Sequence, residues 1–133
     1  MSSVITVRSL GLGVLSWLVP FAASVLFFDR SGQLMIAEPL FKSIMIVLFG
    51  GLGVALLVLA FRKIPTTAMT GLGLGSLWLV INLVLDLAVL LPLSGMTITH
   101  YVQDIGLRYL LMPVIALGMG LAANAARNHS NGP

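Results

Sequence analysis

The sequence predicts an all-α integral membrane protein, built as a four-transmembrane-helix bundle. Of its 133 residues, 59% are hydrophobic and only 8% are charged, whereas a soluble domain carries about 25% charged residues. The apolar residues form four long runs, and roughly 20 apolar residues are enough to cross a bilayer as a helix. The connections between the runs are short, so we expect residues 1–133 to form a single transmembrane domain.

The first predicted helix covers residues 9–28, a run without a charged residue. It is longer than the apolar core of a signal peptide, which has ~7–15 residues, so we expect it to be a membrane span. Pro20 lies inside this run and predicts a kink, because proline removes a backbone donor. A polar turn, residues 29–33, follows it.

The second and third predicted helices cover residues 38–61 and 68–91. Pro39 falls in the first turn of the second helix, where a missing N–H does no harm. Pro92 is expected to end the third helix. The fourth predicted helix covers residues 104–126 with a bend at Pro113, and the polar residues 127–133 are expected to be a disordered tail.

Two polar residues interrupt the third run. Asn82 and Asp86 are four residues apart, so both lie on one face of the helix, which we expect to face the bundle interior. An ionised carboxylate at the centre of a bilayer costs at least ~2.5 kcal/mol. A base beside Asp86 would keep it ionised, and without one it is a candidate proton carrier. We expect Arg108, ahead of Lys42, to pair with it, because a guanidinium holds a carboxylate through two hydrogen bonds.

The other charges gather near the same predicted depth. Each of two bases follows an acid by four residues, which is the spacing of helical ion pairs. The two tryptophans near mid-membrane are candidates for lining a cavity, although core filling is their commoner role. The cluster is either a structural ion-pair network or a solute or ion site open to the outside. The candidate site residues are Asp86, Asn82, Arg108, Lys42, Glu38, Asp104 and Trp78.

The basic residues predict the orientation. An even number of spans places both termini on one side, together with the loop between the second and third helices. That side carries four basic residues outside the helix pairs, and the other side carries Arg30 alone, so both termini are expected to be cytoplasmic, in the cell (inner) membrane. The four are Arg8, Arg62, Lys63 and Arg127.

A repeated pattern favours a parallel duplication of a helical hairpin. The segment GLGVLSWLV at residues 11–19 resembles GLGLGSLWLV at residues 71–80, and an acid-x-x-x-base pair occurs in the second and fourth helices. Small residues repeat four apart in the third and fourth helices, at 71 and 75 and at 118 and 122. This spacing lets helices approach closely, so we expect a tightly packed cytoplasmic half and a homo-oligomer.

Composition and spacing exclude several kinds of function. The seven basic residues are scattered and form no stripe for nucleic acid. No cysteine is present, and neither histidine has ligand partners at metal-binding spacing, so no metal or cofactor is expected. No serine has a neighbouring base, which makes an enzyme the least supported class. We expect a transporter or channel subunit for a small solute or ion, embedded in the lipid bilayer. The alternative is a non-catalytic accessory subunit of a larger membrane complex.

Overall fold

Five α-helices and one 3-10 turn make up the described chain. The computed structural model describes residues 4–130, except for the side chain of Asp104. The helices are α1 (Val7–Val25), α2 (Glu38–Phe61), α3 (Ala68–Ser94), α4 (Ile98–Asp104) and α5 (Leu111–Ser130), with the 3-10 turn Gly106–Leu110 leading into α5. Four segments are long and apolar enough to cross a membrane: α1, α2, α3, and the 3-10 turn together with α5. The all-helical class and the four candidate spans are confirmed.

The first and third spans begin with the same hydrogen-bonded cap. Thr6 Oγ1 accepts a hydrogen bond from the Ser9 N–H at 3.0 Å, and Ser9 Oγ accepts one from the Thr6 N–H at 3.0 Å. Thr67 and Thr70 make the same reciprocal pair at 3.1 and 3.0 Å. Each cap satisfies backbone donors that a helix start leaves without partners. The first cap explains why α1 begins two residues before its predicted start at residue 9.

A polar turn ends α1 earlier than predicted. Asp29 Oδ1 accepts hydrogen bonds from the Ser31 hydroxyl at 2.6 Å and from the Gln33 N–H at 2.9 Å. These hydrogen bonds lower the pKa of the exposed Asp29 carboxyl, and the bond from Ser31 has the largest effect. Phe28 pairs with Leu34 in an antiparallel bridge across the turn. The backbone is therefore extended at Phe28, a residue that hydropathy alone assigns to the helix.

The third span contains a π-helical turn at Asp86–Leu90. The Leu91 N–H bonds to the Asp86 carbonyl five residues earlier, which widens the helix at this point. Pro92 was expected to end the helix, but the helix continues past it and stops at Gly95, whose φ is +71°. The wider turn directly before Pro92 accommodates a residue that has no N–H to donate.

The fourth span differs from its prediction at both ends. The chain leaves helical geometry at Ile105, where φ is −128°, so residues 104–126 are not one helix. Pro113 lies in the first turn of α5, where its missing N–H is harmless, rather than at a bend inside a helix. The helix runs on to Ser130, which corrects the predicted disorder for residues 127–130; residues 131–133 lie outside the described part of the chain.

Two glycines of α3 allow close contact with α5. A Cβ atom on Gly71 would lie 2.2 Å from the Ala116 carbonyl oxygen, and one on Gly75 would lie 2.4 Å from the Pro113 Cα. Both are far below ordinary van der Waals separation, so only glycine fits at these positions. The predicted close packing at this spacing is therefore formed between two helices of the same chain.

The second predicted small-residue pair faces outward instead. Gly118 has open space around it, and Ala122 is exposed. The neighbouring Gly120 is the residue of α5 that packs inward, against the start of α3. Gly11 and Gly50, on α1 and α2, also have open space beside them.

A densely buried part of the core lies toward the end of the bundle that carries the termini. Trp78 is fully buried there, and its Nε1–H donates to the Ser9 carbonyl at 2.9 Å. Leu57, Ala60 and Leu74 are also completely buried and belong to the same cluster. This half of the bundle is closed, and the opposite half contains a cavity.

Candidate solute-binding site

A cavity of about 390 Å³ lies between α1, α2, α3 and the segment that joins α4 to α5. Its volume is in the range of ~300–1,000 Å³ that is usual for ligand pockets. Buried Ser16, Asn82 and Asp86 form its inner end. Exposed Glu38 and His100 lie on its rim, at the end of the bundle away from the termini.

Asp86 is the buried acidic residue at the inner end, with 1% of its surface exposed. Its Oδ1 accepts a hydrogen bond from Trp17 Nε1–H at 2.7 Å. Its Oδ2 accepts one from the Tyr101 hydroxyl at 2.6 Å. Neutral donors from α1 and α4 therefore hold the side chain in place.

The expected ion pair between Asp86 and Arg108 is not formed. No ion pair within 4.0 Å joins these two described side chains, whereas one joins Lys42 and Glu38. Arg108 lies on the same cavity wall as Asp86, but it belongs to the 3-10 turn rather than to the α-helix predicted for it. The prediction assumed that Arg108 lies in a regular α-helix. In the 3-10 turn its side chain has a different direction and depth, so the expected contact with Asp86 does not follow.

The predicted pair of Glu38 and Lys42 is confirmed at 3.1 Å. Both side chains are partly exposed at the rim of the cavity, 66% for Glu38 and 37% for Lys42. An exposed pair of this spacing contributes only ~0.3–0.5 kcal/mol. The second predicted pair, between Asp104 and Arg108, involves the side chain of Asp104, which lies outside the described portion of the structure.

Asn82 lies one helical turn before Asp86 and is completely buried. Its Nδ2 donates to Ser16 Oγ at 3.0 Å and to the Trp78 carbonyl at 2.8 Å. Ser16 Oγ in turn donates to the Gly13 carbonyl at 2.5 Å. These bonds fix the amide, and its Oδ1 is left buried without a donor among the described residues. A buried acceptor in this state costs ~1–3 kcal/mol, and because Asn82 is 0% exposed, a partner from the cavity reaches it only if neighbouring side chains move.

Aromatic rings form much of the cavity wall. Trp17 and Phe21 stack with their ring centroids 4.8 Å apart, and Phe49 meets Tyr109 edge-to-face at 5.1 Å. Such rings present large apolar surfaces whose faces carry negative electrostatic potential. The cavity thus joins an aromatic wall to a polar inner end.

Tyr101 reaches this site from α4, outside the candidate spans. It is 3% exposed. Burial, and then its hydrogen bond to Asp86, raise the pKa of the Tyr101 phenol far above its ordinary value. Tyr101 therefore remains a neutral donor over the whole physiological range of pH.

Of the six predicted site residues whose side chains the structure describes, five line the cavity: Asp86, Asn82, Arg108, Lys42 and Glu38. Trp78 does not line it, since its indole fills the core and bonds to a backbone carbonyl. Trp17 is the tryptophan at the site instead. Two tyrosines at the site were not predicted, because no local sequence pattern marks them: Tyr101 donates to Asp86, and Tyr109 lines the cavity.

Comparisons of the chain with protein families, curated proteins and solved structures found no match. Among the described residues, no group of three or more His, Asp or Glu side chains could hold a metal ion.

Proposed function

We propose that this protein is a membrane-embedded transporter or channel subunit that binds a small solute in the cavity. The observation that supports this most strongly is Asp86, a carboxylate buried inside a candidate span with no described base within 4.0 Å. Ionisable groups within membrane spans are expensive and usually belong to substrate, ion or proton pathways. A purely structural ion-pair cluster would place a base against this group.

The shape of the bundle supports one-sided access. The cavity opens at the end away from the termini, and the opposite half is closed by core packing and by the glycine contacts between α3 and α5. Passage of a solute through a single chain would require that closed half to open. The π-helical turn at Asp86–Leu90 lies beside the cavity, and such turns are frequent at functional sites.

The orientation and the membrane remain proposals that rest on the basic residues. Arg8, Arg62, Lys63 and Arg127 are all exposed at the end of the bundle that carries the termini. With that end in the cytoplasm of a cell with an inner membrane, the cavity faces outward.

Duplication of a helical hairpin also remains a proposal. Thr6 and Thr67 cap the first and third spans with the same reciprocal hydrogen bonds. Each threonine is followed eleven residues later by a tryptophan, Trp17 or Trp78. The two tryptophans do different things, because one donates to Asp86 and the other to a backbone carbonyl.

Association with another helix is supported by outward glycines. Gly11, Gly50 and Gly118 have space for a neighbouring helix to approach closely. A second copy of this chain would give the proposed homo-oligomer. A different membrane protein on the same faces would instead support the accessory-subunit function, which a stoichiometric partner after gentle extraction would reveal.

Uptake of small solutes into proteoliposomes tests the proposal. A set of amines, alcohols and carboxylates is offered to the wild-type protein, to Asp86→Asn and to the matched control Asp29→Asn, whose site is an exposed turn. We expect uptake of at least one class above protein-free liposomes, a loss of about tenfold or more in Asp86→Asn, and no loss in the control. Uptake that is equal in both variants would contradict a role for Asp86.

A further inference from the structure

We propose that the inner end of the cavity is a site for a protonated amine, with the apolar portion of the ligand against the aromatic wall. This inference rests on the proposed function and assigns a chemical class to its solute. It follows from three features that meet at one place: the carboxylate of Asp86, the free acceptor of Asn82, and the rings of Trp17 and Phe21.

The first feature is the sign of the buried charge. Both Asp86 oxygens accept hydrogen bonds from neutral groups, Trp17 and Tyr101, and neither group carries a compensating charge. A buried carboxylate is strongly favoured by a cation in contact with it. A ligand ammonium group beside Oδ1 would supply that cation and still leave the Trp17 bond intact, since a carboxylate oxygen can accept more than one donor.

The second feature is the unused acceptor. Asn82 Oδ1 is buried and lacks a donor among the described residues, while Nδ2 is held by Ser16 and the Trp78 carbonyl. Asn82 and Asp86 lie one turn apart on the same helix face and both contribute to the cavity lining. They are 0% and 1% exposed, so one ammonium group donates to both once a small side-chain movement opens the inner end. A primary ammonium has three N–H donors, which suits two neighbouring oxygen acceptors.

The third feature is the aromatic wall. The stacked rings of Trp17 and Phe21 lie on the α1 side of the cavity, and Phe49 and Tyr109 form a second aromatic pair. Faces of aromatic rings attract cations and bury apolar groups. The cavity volume of about 390 Å³ leaves room for an apolar body beyond the ammonium group.

The other charged residues of the cavity set where the amine would lie. Lys42 is paired with Glu38 at the rim, so its charge is largely compensated there. Arg108 lines the cavity from the 3-10 turn after α4. An amine between Asn82 and Trp17, near Oδ1, would lie on the α1 and α3 side of the cavity, away from the element that carries Arg108.

A matched set of ligands tests the assignment with the wild-type protein alone. The full-length protein in nanodiscs of zwitterionic lipid is titrated at pH 7 in a calorimeter with 2-phenylethylamine, 2-phenylethanol and 3-phenylpropanoate, and empty nanodiscs correct for partition into lipid. The amine is expected to bind about 10- to 100-fold more tightly than the alcohol, and the carboxylate not at all. The N-trimethyl derivative of the amine keeps the charge but cannot donate, so we expect about 5- to 10-fold weaker binding.

The outcomes separate this inference from the proposed function. Equal binding of amine and alcohol, or tighter binding of the carboxylate, would overturn the amine site and leave a cavity for another solute. No binding of any ligand beyond empty nanodiscs would also overturn the amine site, and the uptake assay in proteoliposomes then decides the proposed function separately.

Two variants then assign the acceptors. Asp86→Asn should lower amine affinity about tenfold or more and leave alcohol affinity unchanged, whereas Asn82→Leu should weaken the amine but not its trimethyl derivative. The controls Asp29→Asn and Asn124→Leu, both outside the cavity, should bind like the wild type. Unchanged amine binding in Asp86→Asn would overturn the assignment. If that variant does not fold, the order of ligand affinities on the wild-type protein decides whether the site prefers an amine.

Discussion

Adding one methyl group at Gly71 should push α3 and α5 apart. In Gly71→Ala, the new Cβ would lie 2.2 Å from the Ala116 carbonyl oxygen, whereas ordinary contact begins at 3.4 Å. Both the added atom and the carbonyl belong to helix backbones or are fixed to them, so no side-chain rotation relieves the clash. The two helices must therefore separate locally by roughly 1 Å.

The cost follows from overpacking and from the contacts that the separation loses. Overpacking in a tight core costs ~1–3 kcal/mol, and separating the helices also weakens contacts around the fully buried Leu74 and Ala116. We expect a loss of about 3 kcal/mol in the free energy of unfolding. The same substitution at Gly118, which has nothing within 4 Å, should be neutral or stabilise by up to ~1 kcal/mol, because alanine favours a helix over glycine.

Unfolding of the purified protein by SDS in mixed micelles measures both variants. The fluorescence of Trp78, which is buried in the core beside this interface, reports the loss of packing. A difference of about 3 kcal/mol or more between Gly71→Ala and Gly118→Ala is expected. Equal stabilities, within about 0.5 kcal/mol, would refute the close contact between α3 and α5.

Three further predictions concern the donors, caps and charges. Tyr101→Phe removes the hydrogen bond to Asp86 Oδ2 and should lower the free energy of unfolding by ~1–3 kcal/mol at pH 7. The pKa of Tyr101 is raised in the folded protein, so its contribution to stability is complete below pH ~10 and is lost as the pH rises above ~10. Above pH ~10 the wild type should therefore lose stability faster than Tyr101→Phe. Parallel curves of stability against pH would contradict this. Thr67→Ala removes the cap of α3 and should cost ~1 kcal/mol in thermal or SDS unfolding, and no loss would show that the cap is unimportant. Lys42→Gln breaks the exposed pair with Glu38 and should change stability by less than ~0.5 kcal/mol; a larger loss would mean that Lys42 has a structural role inside the cavity.

The long apolar helices were predicted well where hydropathy and proline act locally. The bounds of α2, Glu38–Phe61, and the start of α3 at Ala68 agree with the structure. The errors occur where neighbouring segments decide. Pro92 was expected to end a helix, but a π-helical turn before it allows the helix to continue, and Pro113 was expected inside a helix but lies at its start. Neither outcome follows from the residue type alone.

The candidate site was predicted incompletely for a similar reason. The spacing of Asn82 and Asp86 correctly indicated a shared inward face, because helical periodicity fixes it. The partners of Asp86 were wrong: Trp17 and Tyr101 donate to it in place of Arg108. Tyr101 reaches the carboxylate only because α4 folds back over the cavity, and no periodic pattern in the sequence encodes that path.

The most direct test of the central claim is an infrared difference spectrum of the protein with and without 2-phenylethylamine. The chain has only four acidic residues, so the carboxylate bands can be assigned with single Asp→Asn or Glu→Gln variants. A solute that binds at Asp86 should perturb one carboxylate stretching band, and that signal should vanish in Asp86→Asn and persist in Asp29→Asn. A ligand-induced spectrum that is unchanged in Asp86→Asn, with binding retained, would contradict the cavity as the solute site.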